Sequence, residues 1–433
     1  MTRDSKQSGL SWGRLAPILA VHLCGTLGFS IALPFLVFLV AELGGAPWTY
    51  GLVGATYSAA QMFGAPVLGR WSDRFGRRSI LLLSQAGTAV AWVLFLIATQ
   101  LPRLPLGELA GATLTVPLVF VFLARLFDGL TGGNISVANA YVADLTREDK
   151  ASRQLAFGRM GMASSVGFTL GPALSGLLAS WGDGYVGPIL AALAISLLGL
   201  LLCTRLEGQQ EKCPDGPPPE ALAAGQVLGQ EHRRCDRSPV APEKGTMDSP
   251  LVRLVLGSTF VMFLAFNLYY ASFPVHATQA LGWTGAAMGL FYSLMSAAMF
   301  VVQGPVLKQA SLELMPSRVF GLGTKGLVFA FLFFAFPSSG AVYAGGLLFA
   351  FGNGLAWATF QARAANATPE SQQGAVQGAI SSVSSLASIA GLVVGGIAYP
   401  WLEGRLFLVS AGLFVGVLLV TGQLFRETTP SRG

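Results

Sequence analysis

Apolar residues in this chain come in long blocks. Twelve runs, near residues 15–41, 50–72, 78–100, 114–144, 153–181, 185–205, 251–280, 283–310, 317–337, 340–366, 371–402 and 404–425, alternate with polar links. A helix rises 1.5 Å per residue, so about 20 apolar residues cross the ~30 Å hydrocarbon core of a bilayer. Every run reaches that length. The pattern predicts an all-α membrane protein of twelve transmembrane helices. The longest polar stretch, Leu206–Pro250, holds Pro217–Pro219, charges of both signs and few aromatics. It reads as a flexible linker, dividing the chain into bundles at 1–205 and 251–433 with 206–250 between them.

Composition agrees. Of 433 residues, 53% are hydrophobic and 11% charged, against about 25% charged in soluble proteins. Such a chain has too few charges to cover a soluble surface. Its net charge of +6 is a topology signal and implies no nucleic-acid partner. Lys and Arg cluster in alternate links, and only Arg103 and Arg405 fall on the opposite side. The positive-inside bias then places both termini and the linker in the cytoplasm, with a cell (inner) membrane as the expected location. The first residues are basic, but the apolar run after them is too long for a cleaved signal. Cys24 and Cys203 lie in apolar runs, Cys213 and Cys235 in the linker, with no CxxC spacing. His232 and Cys235, three apart, do not make a metal site. The histidines His22, His232 and His276 lack a nucleophile partner or metal-ligand spacing, so no enzyme, cofactor or metal is expected. The link Leu101–Thr113 is long and carries Pro102 and Pro105, without a functional reading.

Three stretches carry chemistry. The first, GRWSDRFGRR (Gly69–Arg78), sets Gly69, Asp73, Arg74, Gly76, Arg77 and Arg78 between two uncharged runs. Asp73 and Arg77 pair if the turn stays helical, and Gly69 and Gly76 suit close packing or a sharp turn. In the second, Gly158, Gly167, Gly171-Pro172 and Ser175-Gly176 form a small-residue face with a proline bend. The third, RLFDGLTGG, places Arg125 and Asp128 three apart at membrane depth, where a charge faces a cavity or a partner. They can satisfy each other as a helix lock, or serve proton movement with Asp128 as the protonatable carboxylate. His22 is a second titratable group, about 10 Å along its run by helical rise. Tyr57 and Gln61, Phe263, Asn267 and Tyr270, and Asn353, Trp357 and Gln361 fall at helical spacings. They read either as a mostly apolar cavity wall with a few amides or as helix–helix hydrogen bonds.

The halves repeat. Ser164–Trp181 aligns with the stretch ending at Trp401 at an offset of 220, placing Gly171 on Gly391 and Gly176 on Gly396. GAPVLGR (Gly64–Arg70) matches QGPVLKQ (Gln303–Gln309), where the charged motif has decayed. Such a repeat implies parallel halves with the substrate site between them.

Gly69–Arg78 resembles the loop between helices two and three of the major facilitator superfamily. The stretch Gly158–Gly176 resembles its antiporter signature, with Ser175 for the usual glycine, and Arg125 with Gly129 resembles its membrane-embedded arginine motif. The likeness implies two pseudo-symmetric six-helix bundles and a gating role for Gly69, Asp73, Arg74, Gly76, Arg77 and Arg78. It further implies exchange through Gly158, Gly167, Gly171, Pro172 and Gly176, and proton coupling at Arg125, Asp128 and His22. Within the superfamily, Asn139–Gly158, Leu281–Leu290 and Gln372–Gly391 resemble the tetracycline-efflux group of drug:proton antiporters. Three of that group's carboxylates are replaced by Gly25, Ala91 and Lys325. With Arg125, Arg159, Lys325 and Arg363 against Asp128, the membrane charge leans positive. The expectation is a monomeric exporter of small neutral or anionic amphiphiles, coupled to protons and working by alternating access in the lipid bilayer. The competing expectation is an uptake carrier or uniporter for a metabolite or lipid on the same fold. Tyr57, Gln61, Asn267, Tyr270, Asn353, Trp357 and Gln361 are the expected substrate cavity.

Overall fold

The computed structural model describes residues 12–132, 134–146, 150–180, 184–207, 249–365 and 373–425. Most of the linker, with Cys213, His232 and Cys235, lies outside the described residues, as do Trp181 and the side chain of Asp73. The first half holds α1 (Trp12–Glu42), α2 (Pro47–Phe75), α3 (Arg77–Gln100), α4 (Val116–Thr131), α5 (Asn134–Leu145), α6 (Lys150–Ser180) and α7 (Val186–Thr204). The second holds α8 (Pro250–Gln279), α9 (Gly285–Val301), α10 (Leu307–Glu313), α11 (Pro316–Phe334), α12 (Ser339–Ala365), α13 (Gln373–Leu402) and α14 (Leu406–Leu424). Among the described residues ten stretches are long and apolar enough to span a membrane; one of them, Gly378–Leu424, runs through most of α13 and all of α14. With the 29-residue α2, these give the twelve traverses of two six-helix bundles.

Two traverses are interrupted. The fourth breaks at Gly132 between α4 and α5, and the eighth passes through a π turn at Val302–Val306 before α10. Pro305 within that turn lacks the amide that would continue the α ladder. The all-α expectation needs one small correction. The link after α3 is a two-stranded antiparallel hairpin, β1 (Pro105–Leu109) with β2 (Ala112–Thr115). Ala110 and Gly111 turn it with φ +46° and +78°, the pair of positive values a tight hairpin requires. The hairpin clasps the α1–α2 loop: Thr113 N donates to Gly44 O at 2.9 Å and Trp48 Nε1 to Ala110 O at 3.0 Å. Arg103 pairs with Glu42 beside it. This side of the molecule is the hairpin end; the side carrying Gly69–Arg78 is the motif end.

The repeat survives in the packing. A Cβ on Gly171 of α6 would meet Ser30 and Leu27 O of α1. A Cβ on Gly391 of α13 would meet Asn267 and Leu264 O of α8 in the same way. Five residues on, both helices turn to the opposite half. Gly176 faces Gly289 of α9, and Gly396 faces Gly51 of α2, with the added Cβ of Gly289 or Gly396 only 3.0–3.1 Å from the facing Cα. These two glycine pairs let backbones touch near the hairpin end. Val37, Leu268, Val275, Tyr399 and Leu406 close an apolar cluster across the halves there. On the same interface helices toward the motif end, a Cβ on Gly69, Gly158, Gly161 or Gly378 would meet nothing within 4 Å.

The outward faces are apolar. Val90, Val93 and Ile97 of α3, Leu197 and Leu201 of α7, Phe329 of α11 and Leu419 of α14 are all exposed. That is the surface of a multi-pass membrane protein, whose solvent is lipid.

Candidate functional site

The core of the first half is split across its middle. One apolar cluster, around Phe35, Trp92, Phe95 and Val121, fills the hairpin end; another, around Leu15, Leu68, Leu81 and Tyr141, fills the motif end. Between them His22, Thr26, Ser30, Ser84, Gln85, Arg125, Asp128 and Ser196 are buried.

Two charges sit in this layer. Arg125 and Asp128 lie one turn apart on α4, with Arg125 Nη1 3.6 Å from Asp128 Oδ2. They are 5% and 9% exposed. Nine and twelve residues into α4, they lie roughly 14 and 18 Å from its start by helical rise, near the middle of a bilayer. A charge there costs about 3 kcal/mol on insertion scales, so its surroundings must offset that. Thr88 Oγ1 of α3 donates to Asp128 Oδ1 at 3.0 Å. The guanidinium of Arg125 lies 5.3 Å from the ring of Phe95 and 5.7 Å from that of Tyr57, within cation–π range. Its Nε has no hydrogen-bond partner, leaving a donor for a further acceptor. Gln61 Nε2 donates to Tyr57 Oη at 3.1 Å and to Gly132 O at 3.0 Å. Gly129 makes this convergence possible, since a Cβ there would fall 2.5 Å from Tyr57 O and 2.6 Å from Ala60 Cβ of α2.

His22 stands apart from the pair. Its Nε2 is 2.6 Å from Ser164 Oγ of α6, and its Nδ1 is buried without a partner. It belongs to the α1–α6 contact rather than to the α2–α3–α4 cluster.

Of the expected cavity residues, Tyr57, Gln61, Asn267, Tyr270, Asn353, Trp357 and Gln361 are all half-buried. Tyr57 and Gln61 join the Arg125 cluster. Asn267 Nδ2 donates to Ser388 Oγ of α13 at 3.0 Å, and Trp357 packs edge-on to Phe263 at 5.5 Å. Asn353 turns to Met299 Sδ, and Gln361 Oε1 is buried without a partner.

The structure corrects the sequence reading in three places. Lys325 does not point into the molecule: it is exposed on the same stripe of α11 as Leu322 and Phe329, so it adds no charge to an interior site. The helix does not continue through Gly69–Arg78, because Gly76, at φ +92° and ψ 145°, separates α2 from α3. Among the described side chains Arg77 reaches Asp144 of α5 at 3.0 Å and Ser72 Oγ at 2.6 Å, and Arg78 donates to Thr204 O of α7 at 2.8 Å; the expected pairing of Arg77 with Asp73 lies outside the described side chains. Finally, Gly69 and Gly158 make no close packing contact, unlike Gly167, which sits on Thr26 and Leu27 of α1, and Gly171. Pro172 lies inside α6, and its carbonyl faces Gly289.

Several partners escaped the sequence reading. Thr88 is a threonine within the apolar run of α3, seven residues before Phe95, and that i, i+7 spacing was its only signal. Ser164, Ser388 and Asp144 gave none beyond being polar.

A family model, the Major Facilitator Superfamily, matches residues 18–391, with a further match over 255–433. The chain belongs to the Major Facilitator Superfamily. It is 28% identical over 423 residues to a tetracycline resistance protein, class G, of Vibrio anguillarum, covering 95% of each chain. It is 29% identical over 395 residues to the human major facilitator superfamily domain-containing protein 10, covering 84% of this chain and 76% of the relative. The crystal structure of that human protein, described as an organic anion transporter, superimposes with a TM-score of 0.66 at 23% identity over 94% of this chain and 99% of that one. As a superfamily member the protein is a membrane transporter, and its relatives include drug-resistance proteins.

Within the superfamily frame, Arg77 and Arg78 brace α3 against α5 and α7 at the motif end, inside one half. At the hairpin end the halves meet through the two glycine pairs and the apolar cluster of Val37, Leu268, Val275, Tyr399 and Leu406.

Proposed function

We propose that this transporter exports small amphiphilic compounds, neutral or anionic, in exchange for protons. The observation that carries the reading is the buried Arg125–Asp128 pair, held by Thr88 and two rings at mid-span. An ionised carboxylate accepts from Thr88 and attracts Arg125; once protonated it loses that attraction and frees the guanidinium. Arg125, with one donor already unpartnered, then turns to the polar face of a substrate. Tyr57 and Gln61 connect this event to the cavity, where Asn267, Tyr270, Asn353, Trp357 and Gln361 supply the facing wall.

Coupling works by population shift, since protonation and substrate bind the two cavity orientations unequally. The described arrangement, touching at the hairpin end and open around Gly69 and Gly158, is the orientation facing the motif end. Gly69, Asp73, Arg74, Gly76, Arg77 and Arg78 set the rate of switching, and Gly167, Gly171, Pro172 and Gly176 transmit it along α6. The basic motif end faces the cytoplasm, with both termini there, in the cell's inner membrane, and a single copy of the chain suffices.

The losses at Gly25 and Ala91 argue against a cationic chelate as cargo. The human relative described as an organic anion transporter supports an anionic one. The test is a proteoliposome screen with non-titrating amphiphiles, both anionic and neutral. Exchange for protons predicts accumulation in the more acidic compartment. Accumulation in the alkaline compartment would mean co-transport, and equilibration indifferent to the gradient would mean a uniporter; either overturns the proposal.

A further inference from the structure

Helix α11 separates its residues sharply. Val319, Phe320, Gly323, Thr324, Gly326, Leu327, Ala330, Phe331 and Phe334 are buried. Arg318, Leu322, Lys325, Phe329, Leu332 and Phe333 are exposed. At 100° per residue the exposed set falls within one stripe. Its apolar members identify it as a lipid-facing surface, and two of its members are cations. Neither Arg318 nor Lys325 has an ion-pair partner among the described residues.

Their positions are unequal in depth. Arg318 lies in the first turn of α11 at the motif end. Lys325 lies seven residues deeper, about 10 Å along the axis. A helical Cα–Cβ bond tilts toward the helix N-terminus, here the motif end. Lys325 therefore leans back along the stripe toward Arg318, the direction in which a long charged side chain escapes hydrocarbon. Beside them the surface is bare. Gly321 and, on the neighbouring α14, Gly422 meet little: a Cβ on Gly422 would find nothing within 4 Å, and one on Gly321 only a leucine methyl at 3.9 Å.

We propose that Arg318 and Lys325 form a binding site for an anionic phospholipid of the leaflet at the motif end. The anionic phosphate sits between the guanidinium and the ammonium, and one acyl chain lies along the gap left by Gly321 and Gly422. Charge complementarity selects this occupant: two cations on a lipid-facing stripe attract a headgroup bearing net negative charge and not a zwitterion. The site is outside the transport path.

The test is lipid retention by the full-length protein. The protein is purified from vesicles containing phosphatidylglycerol and phosphatidylcholine, and retained lipids are quantified by native mass spectrometry. Wild type is expected to enrich phosphatidylglycerol. The double variant Arg318→Gln with Lys325→Gln should lose that preference by at least about tenfold, since each surface cation contributes roughly fivefold. Lys325→Arg should keep it. Lys325→Leu checks folding independently, because on a lipid-facing stripe it should raise the melting temperature in phosphatidylcholine alone. Unchanged preference in the double variant would overturn the site. So would displacement of the lipid by millimolar inorganic phosphate, which marks a free-anion site. Cross-linking of Lys325 to a second protein in place of lipid would also overturn it.

Discussion

The two halves share a fold and divide its physics. In the second half one continuous cluster runs through the bundle, with Phe266, Tyr269, Phe273, Phe291, Phe331, Phe334, Phe349, Phe407 and Phe414 in mutual contact. Among the described residues its fully buried polar side chains are hydroxyls apart from His276, and the amides of Asn267, Asn353 and Gln361 are half-buried. The first half is cut at mid-span by a polar layer holding a cation and an anion. Packing geometry has kept the symmetry while the chemistry has lost it. One half is thus an aromatic, apolar body, and the other is the half whose interior carries charge.

Breaking the shared geometry should have the largest effect. Gly171→Leu and Gly391→Leu each force a side chain into the neighbouring helix backbone, against Leu27 O and Leu264 O respectively. Both should reduce transport in proteoliposomes to background, equally in the two halves. A half-specific outcome would mean the glycine positions are not equivalent.

The next effect separates the halves. Arg125→Ala leaves Asp128 buried with only Thr88 as partner and should destabilise the fold by about 3–5 kcal/mol, read as a fall in melting temperature in detergent. Phe349→Ala in the second half removes a ring that stacks on Tyr269 and should cost about 3 kcal/mol. Yet the ratio of gradient-driven to passive transport should survive in Phe349→Ala, because no switching charge is touched. If that ratio collapses, coupling is spread over both halves.

How much of this was legible follows from what a bilayer imposes. Run length and the bias of arginines toward alternate links fixed the number and order of helices. The i, i+3 spacing put Arg125 and Asp128 together before any coordinates did. Facing was the unreadable part. In a membrane, lipid-facing and core-facing positions are both apolar, so the stripe through Leu322, Lys325 and Phe329 carries no periodic contrast to say which side Lys325 takes. Thr88 was hidden for a related reason: its approach to Asp128 depends on how α3 is rotated against α4. The hairpin after α3 was hidden by its turn, where Ala110 takes a positive φ that usually belongs to Gly, Asn or Asp. Gly69 and Gly158 read as packing residues because a glycine motif does not reveal at which end the halves touch.

The smallest expected effect also lies in the second half. Tyr269 Oη is buried without a hydrogen-bond partner at the centre of the aromatic cluster. Tyr269→Phe removes an unsatisfied polar group while keeping the stack, so melting temperature should hold or rise by the equivalent of about 1 kcal/mol. A marked loss would reveal an unrecognised partner for that hydroxyl and a polar element in the aromatic half.

The central claim is that the carboxylate in the first half carries the proton. Its most direct test compares wild type with Asp128→Asn in proteoliposomes holding an imposed pH gradient, following substrate accumulation and substrate–substrate exchange in the same preparation. The amide keeps the shape and the Thr88 contact but cannot ionise. The account predicts that exchange continues while accumulation driven by the gradient disappears. Accumulation at the wild-type level in Asp128→Asn would contradict it, and would shift attention to His22 and its bond to Ser164.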